Sequence, residues 1–148
     1  MIKKLDLKRA DTAKAVLDLQ MESYRIEAEI IQFYDIPTLK DTIESIRQCG
    51  EIFHGYFIED TLAGIISWKI EDETLDIHRV AIDPKFFRRG IAKKLLNFIE
   101  EHNVNKIIVS TGKGNTPAIK LYLKMGYKKV KDIKISEDMY LTLFEKYI

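Results

Sequence analysis

The sequence predicts an α+β sandwich: three layers, with one mixed, largely antiparallel β-sheet between helices on both faces. Three observations carry that prediction. The β-rich runs "IFHGYFI", "LAGIISWKI" and "TLDIHRVAI" follow one another across the short acidic spacers "EDT" and "EDET", as an antiparallel meander would. Stretches of helical period stand on either side of that block, and a hairpin pattern closes the chain. The 148 residues suffice to bury the core of one domain, 1–148, and no repeat, low-complexity segment or linker divides them.

Each element has its own signal. Ile2 to Asp6 reads as a first strand. Asp11 stands where a helix cap would, before apolar positions Ala13, Val16, Leu17, Met21 and Tyr24 at helical spacing. Pro37 redirects the chain, and Thr38 reads as the cap of a second, short helix with Leu39, Ile43 and Ile46 on one face, ending near Gly50. The meander follows. Asp83-Pro84 ends its third strand, because proline cannot donate a ladder hydrogen bond. Ile91, Leu95, Phe98 and Ile99 mark a third helix, and "KIIVS" a buried strand. Thr116 before Pro117 starts a fourth helix, with proline at the first helical position where its missing N–H is harmless. Ala118, Leu121, Tyr122 and Met125 form its inner face, and Gly126 stops it. "YKKVKDIKI" and "MYLTLFEKY" close the chain as a hairpin about "SED". The predicted order is β-α-α-β-β-β-α-β-α-β-β.

Composition removes several classes of function. Charged residues make up 32% of the chain, yet the net charge is only +1. A nucleic-acid-binding domain anchored on Arg88-Arg89 would carry a basic excess, so no nucleic-acid partner is expected. No apolar run approaches the roughly 20 residues of a membrane span, and "MIKKLDLKRAD" lacks the apolar core of a signal peptide, so no membrane partner is expected. The single cysteine, Cys49, makes no internal disulfide, which points to a reducing, cytoplasmic setting. His54, His102 and Cys49 have no partners at metal-ligand spacing, so no metal is expected. "TGKGN", Thr111 to Asn115, lacks the glycine spacing and the trailing Ser or Thr of a P-loop.

The chemistry concentrates in "PKFFRRGIAKKLL", Pro84 to Leu96. Two arginines and Gly90 crowd a helix N-terminus that already carries partial positive charge, which favours an anion at that spot. Free N–H groups of the first turn can point at it, Gly90 lets the backbone approach, Ala92 keeps the next turn small, and Arg88 and Arg89 suit phosphate oxygens. A pyrophosphate fits these features together. A solvated basic helix start is the plainer alternative.

The strand–turn–helix from Val80 to Leu96 resembles motif A of the GNAT family of N-acetyltransferases. The family pattern is Gln or Arg, two variable residues, Gly, one variable residue, then Gly or Ala. "FRRGIA", Phe87 to Ala92, matches it at Gly90 and Ala92 and departs at Phe87. "NTPAIKLYLKMGY" is similar to motif B, with Asn115, Ala118, Leu121, Tyr122, Gly126 and Tyr127 at the right spacing. The resemblance covers essentially the whole chain and implies acetyl-CoA as co-substrate and acetyl transfer from the thioester to a primary amine in a ternary complex.

It also implies roles. The pyrophosphate would sit on the turn of Phe87, Arg88, Arg89, Gly90, Ile91 and Ala92. Lys93 and Lys94 would lie near the 3′-phosphate. The pantetheine arm would lie between splayed strands Leu75–Ile82 and Lys106–Ser110, bonded to the backbone of Val80 and Ile82. Tyr122 matches the position that protonates the departing thiolate, although its place on the helix's inner face also suits packing. Asp76 and His78 share one strand face, and the base is one of them or water. Arg79 is expected on the opposite face as a structural residue. Asn115 serves either the cofactor or the turn before Thr116.

The acceptor site in this family is built by the first two helices and their link. Here that segment is "ESYRIEAEIIQFYDIP", where Glu22, Glu27, Glu29 and Asp35 stand among Tyr24, Phe33 and Tyr34. An acidic, aromatic mouth suits a polyamine, an amino sugar or another small cationic amine. A protein lysine or N-terminal amine is the alternative acceptor. A non-catalytic acyl-CoA-binding or sensing module is the alternative function. The last strand, Met139–Tyr147, is expected to offer an edge for a homodimer.

Overall fold

A computed structural model describes residues 1–148. The chain runs β1 (Ile2–Lys4), α1 (Ala10–Ile31), α2 (Ile43–Gln48), β2 (Ile52–Ile58), β3 (Thr61–Glu71), β4 (Thr74–Ile82), α3 (Ile91–Ile99), β5 (Lys106–Gly112), α4 (Thr116–Lys124), β6 (Lys128–Ser136) and β7 (Met139–Tyr147). Single 3-10 turns at Pro37–Lys40 and Pro84–Phe86 follow the two prolines that redirect the chain. The element order is the predicted one. No helix is long and apolar enough to cross a membrane.

The strands form one sheet in the order β1-β2-β3-β4-β5-β7-β6, antiparallel throughout except for the β4–β5 pair. Helices cover both faces. On one, Ala13, Val16 and Leu19 of α1 and Ile46 of α2 pack on Phe53, Ile65 and Ala81. On the other, Leu95, Leu96 and Ile99 of α3 and Tyr122 of α4 pack on Ile66, Trp68, Leu75, Ile107 and Phe144. Each helix buries a stripe of three- and four-residue spacing against a sheet that is apolar on both sides, which is why neither layer stands alone.

The structure corrects several boundaries. Arg9, not Asp11, occupies the N-cap of α1; Asp11 lies in the first turn, where a carboxylate suits the positive helix end. Thr42 caps α2, not Thr38: its hydroxyl accepts from Ser45 N–H at 3.1 Å while Ser45 Oγ accepts from Thr42 N–H at 2.8 Å. Thr38 belongs to the 3-10 turn behind Pro37. Asn115 caps α4 one residue before Thr116, which moves Pro117 to the second helical position, still free of an intrahelical partner. The expected dimer edge on Met139–Tyr147 is absent, because β7 lies between β5 and β6 and is paired on both sides; β6 is the edge.

One irregularity positions the site. Ser67 of β3 faces Arg79, but Trp68 faces Ile77, so His78 is the extra residue of a β-bulge in β4. The bulge reverses the side-chain alternation. Leu75 and Ile77 join the α3–α4 layer, whereas Ala81 joins the α1–α2 layer and Arg79 stacks 5.6 Å over the ring of Phe53 there. Arg79 therefore shares a face with Asp76 and does not oppose it as simple alternation predicts.

Candidate functional site

β4 and β5 pair from Thr74–Lys106 to Ile77–Val109 and then part. β4 runs on to Ile82 bonded to β3, and β5 to Gly112 bonded to β7, so each presents an unpaired backbone edge to the gap. Such edges have free donors and acceptors for an extended ligand.

The turn beyond β4 ends at the same gap. The Asp83 carboxylate accepts from Lys85 N–H at 3.0 Å and opens the 3-10 turn; Arg88 and Gly90 then both take positive φ, +65° and +72°. Gly90 is the N-cap of α3, and no side chain caps that helix. Its first intrahelical bond is Lys94 N–H to Gly90 O at 3.1 Å, which leaves the amides of Ile91, Ala92 and Lys93 free. A Cβ on Gly90 would meet nothing within 4 Å, so there is open room in front of those amides. Free amides behind open space form a geometry in which an anion can approach the backbone closely.

Two cavities meet at this end of the sheet. The first, about 400 Å³, is lined by Ser23, Ile26, Glu27 and Ile30 of α1, by Val80, Ile82, Phe87, Arg88 and Ala92, and by Asn115, Pro117, Ala118, Leu121 and Tyr122. The second, about 370 Å³, takes in Tyr24, Pro37, Thr38, Asp76, His78, Arg79, Ser110, Thr111 and Met139. Glu27, Val80, Asn115, Ala118 and Tyr122 line both.

Most residues singled out from the sequence converge here. Val80, Ile82, Phe87, Arg88, Ala92, Asn115 and Tyr122 share the first cavity, and Asp76 and His78 line the second. Three stand apart. The Ile91 side chain is core, 3% exposed, so only its amide faces the cradle. Arg89 stacks 5.2 Å over Phe86, and Lys93 is exposed outside both cavities. Lys94 turns back to Tyr56, 3.3 Å from its hydroxyl. Asn115 holds the turn, its Oδ1 accepting from Ala118 N–H at 3.4 Å and its Nδ2 donating to Thr111 Oγ1 at 3.1 Å, and it also lines both cavities.

The acidic mouth is narrower than the sequence suggested. α1 continues to Ile31, so Glu22 and Glu29 fall on its solvent side, and Glu22 pairs with Arg25 at 3.6 Å. Asp35 is exposed against Lys40, and Tyr34 is exposed. Of the named residues only Tyr24 and Glu27 reach the cavities.

The electrostatics are set by burial. Tyr122 is 5% exposed, and burial followed by the nearby Glu27 charge pushes its phenol well above the ordinary value. Burial also raises the Asp76 carboxyl; His78, with Nε2 3.5 Å from Asp76 Oδ2, pulls the other way. Beneath them lies a hydrogen-bonded network centred on Arg79. Arg79 donates to Glu51 Oε1 at 3.0 Å, to Asp41 Oδ2 at 2.5 Å and to Gln20 Oε1 at 3.0 Å. Ser67 donates to Glu51 at 2.6 Å, and His78 Nδ1 stands 3.7 Å from Glu51 Oε2. These residues come from five separate segments, so no spacing announces them.

Comparison with known proteins gives this arrangement its context. The family model for the acetyltransferase (GNAT) family matches residues 13–127. The UPF0157 protein YqkA of Bacillus subtilis (strain 168) is 37% identical over 99% of this chain and 43% of its own length. Human N-acetylaspartate synthetase is 29% identical over 66% of this chain and 35% of its own length. The chain thus spans less than half of either curated relative. The crystal structure of the PaiA N-acetyltransferase from Thermoplasma acidophilum in complex with coenzyme A superimposes with a TM-score of 0.77 at 17% identity, over 100% of this chain and 98% of that one. That likeness establishes the fold. With the family model spanning both the Gly90 turn and the Asn115–Tyr127 segment, the chain belongs to the acetyltransferase (GNAT) family.

Proposed function

We propose that this chain transfers the acetyl group of acetyl-CoA to a primary amine on a small cationic molecule. One observation carries the reading: a cavity that opens on free amides and the splayed strands meets a second, acid-lined cavity at Tyr122.

The donor side fits coenzyme A. The Ile91, Ala92 and Lys93 amides and Arg88 would hold the pyrophosphate, and the open β4 edge at Val80 and Ile82 would hold the amide-rich arm. Phe87, 41% exposed at the cavity wall, supplies apolar contact where the family pattern has Gln or Arg. Acetyl-CoA supplies an activated acetyl thioester.

The acceptor side favours a cation. Asp76 and Glu27 are carboxylates on its wall, and the one guanidinium there, Arg79, is already bonded to Glu51 and Asp41. No free guanidinium or ammonium remains to hold a substrate carboxylate, so an acidic amino acid is a poor acceptor despite the likeness to N-acetylaspartate synthetase. Asp76 with His78 draws in the ammonium, and the unpartnered Thr38 hydroxyl is a further polar contact.

Tyr122 holds a proton at its phenol oxygen throughout the neutral range and gives it to the sulfur as the thiolate departs. A thiolate formed in the same dry cavity has its own proton affinity raised by burial as well, so the gap between phenol and thiol stays near the roughly 1.5 pH units of the free groups. The test is a thermal shift with acetyl-CoA, CoA and dephospho-CoA, followed by thiol release with an amine panel. A shift of several degrees and amine-dependent thiol release are expected. A shift without thiol release would favour a binding module; no shift at millimolar ligand would refute the reading.

A further inference from the structure

We infer that Glu27 of α1 takes the proton from the attacking amine, across the junction of the two cavities from Tyr122. The inference rests on the acetyl-transfer reading above. A general base must stand within hydrogen-bond reach of the nitrogen at the moment it reaches the acyl carbon. That contact occurs only where the thioester cavity meets the amine cavity. Five residues line both: Glu27, Val80, Asn115, Ala118 and Tyr122. Only Glu27 and Tyr122 of these ionise, and Tyr122 is the proton donor. Asp76 and His78 line the amine cavity alone, which makes them binding groups for the ammonium.

The fold places Glu27 there deliberately in physical terms. Ser23, Ile26, Glu27 and Ile30 recur at helical spacing on the face of α1 that closes the first cavity, an otherwise largely apolar stripe. A carboxylate on such a stripe is unfavourable unless it is paired, yet Glu27 forms no ion pair. Its one hydrogen bond in the structure is a long one from Thr111 Oγ1, 3.4 Å, and Thr111 is itself held by Asn115. Burial raises its carboxyl above the ordinary range, against the pull of donors on Asn115, Gly112 and Thr111. Facing it are Tyr24 on its own helix, Tyr122 on α4, and Asp76, His78 and the already paired Arg79 on β4; Arg88 is the cation of the first cavity wall. A carboxylate that is desolvated, without an ion pair and met only by neutral donors has its proton affinity raised, the direction a general base requires.

The proton balance closes without any other reactant. An ammonium loses two protons in becoming an amide. Glu27 accepts one and releases it to solvent; the other replaces, on Tyr122, the proton that the phenol gives to sulfur. The N–C bond forms as the C–S bond breaks, with no change of oxidation state.

The experiment is the pH dependence of CoA release by wild type, Glu27→Gln, Glu27→Asp and His78→Gln. The acceptor is whichever member of a panel of polyamines, amino sugars and arylalkylamines the wild type turns over fastest. The thermal shift with CoA monitors folding and donor binding in each variant. Glu27→Gln should lower kcat by roughly 10²–10³-fold and lose the acidic limb of the kcat profile, with the CoA shift retained. Glu27→Asp should recover part of kcat and keep a limb, whereas His78→Gln should raise KM and keep the wild-type limb. Wild-type kcat and limb in Glu27→Gln, or loss of the limb in His78→Gln, would overturn the assignment. A wild type that releases no CoA with any amine would instead overturn the acetyl-transfer reading itself.

Discussion

Arg79→Met replaces the guanidinium that joins β4 to Glu51, Asp41 and Gln20 with an unbranched apolar side chain. In the wild type the Arg79 and Glu51 side chains are 8% and 7% exposed and 3.0 Å apart. Removing one member of such a pair leaves an uncompensated buried carboxylate and costs about 3–5 kcal/mol. In a chain of this length that corresponds to a fall in Tm of roughly 6–20 °C. The pH dependence gives the mechanism away. Burial pushes the Glu51 carboxyl up, but the hydrogen bonds from Arg79 and Ser67 with the Arg79 charge outweigh it, and the net shift is downward. A carboxyl that titrates lower in the folded than in the unfolded chain stabilises at pH values above its unfolded pKa, and that stability is lost as pH falls through the folded value. Without Arg79 the carboxyl moves up, so the mutant's deficit is largest near neutrality and shrinks when Glu51 can protonate. Urea unfolding at about pH 7 and about pH 4.5 measures both. Glu51→Gln added to Arg79→Met should recover part of the loss at about pH 7. A deficit under about 1 kcal/mol, or one equal at both pH values, would refute the buried network as a stabilising unit.

Three further outcomes are expected. Tyr122→Phe should lower kcat by roughly 10²-fold with little change in the CoA-induced thermal shift; normal turnover would make Tyr122 a packing residue. Gly90→Val forces a β-branched residue into φ +72° and fills the open space before the α3 amides, so CoA affinity measured by calorimetry should fall at least tenfold; unchanged affinity would mean the anion cradle lies elsewhere. His54 stacks on Trp68 at 5.0 Å with a buried, unpartnered Nδ1, and burial first, then His102 and Lys4, hold its pKa below the ordinary 6.5. Its proton is bound more readily in the unfolded chain, so stability should fall as pH drops below about 6.5, and His54→Phe should flatten that fall in urea midpoints; an unaltered slope would absolve His54.

The layered fold was legible because each element announces itself locally: period-2 runs for the meander, Ile91–Ile99 at helical spacing, proline and glycine at the ends of α4. The Gly90 turn and the Asn115–Tyr127 stretch were legible for the same reason, since their residues lie close together in the chain. What escaped the sequence was non-local. The bulge at His78 carries no glycine or other local mark, and it arises from a register slip against β3. That slip alone turned Arg79 from an opposed residue into the hub of the network. Thr42 outcompeted Thr38 as a cap because only Thr42 has Ser45 three residues on to reciprocate. β7 looked like an edge because nothing local reveals that it inserts between β5 and β6. Glu27 was indistinguishable from Glu22 and Glu29 until the helix phase and its length to Ile31 were fixed.

An acetylated amine is the product that this site is proposed to make. The direct measurement is mass spectrometry of the amine panel after incubation with acetyl-CoA labelled in its acetyl group. One labelled amide per CoA thiol released is expected, on a cationic amine lacking a carboxylate, with a large loss of both in Tyr122→Phe. Tight CoA binding with no labelled amine and no thiol would contradict that proposal, and would leave the acetyltransferase fold serving as a binding module.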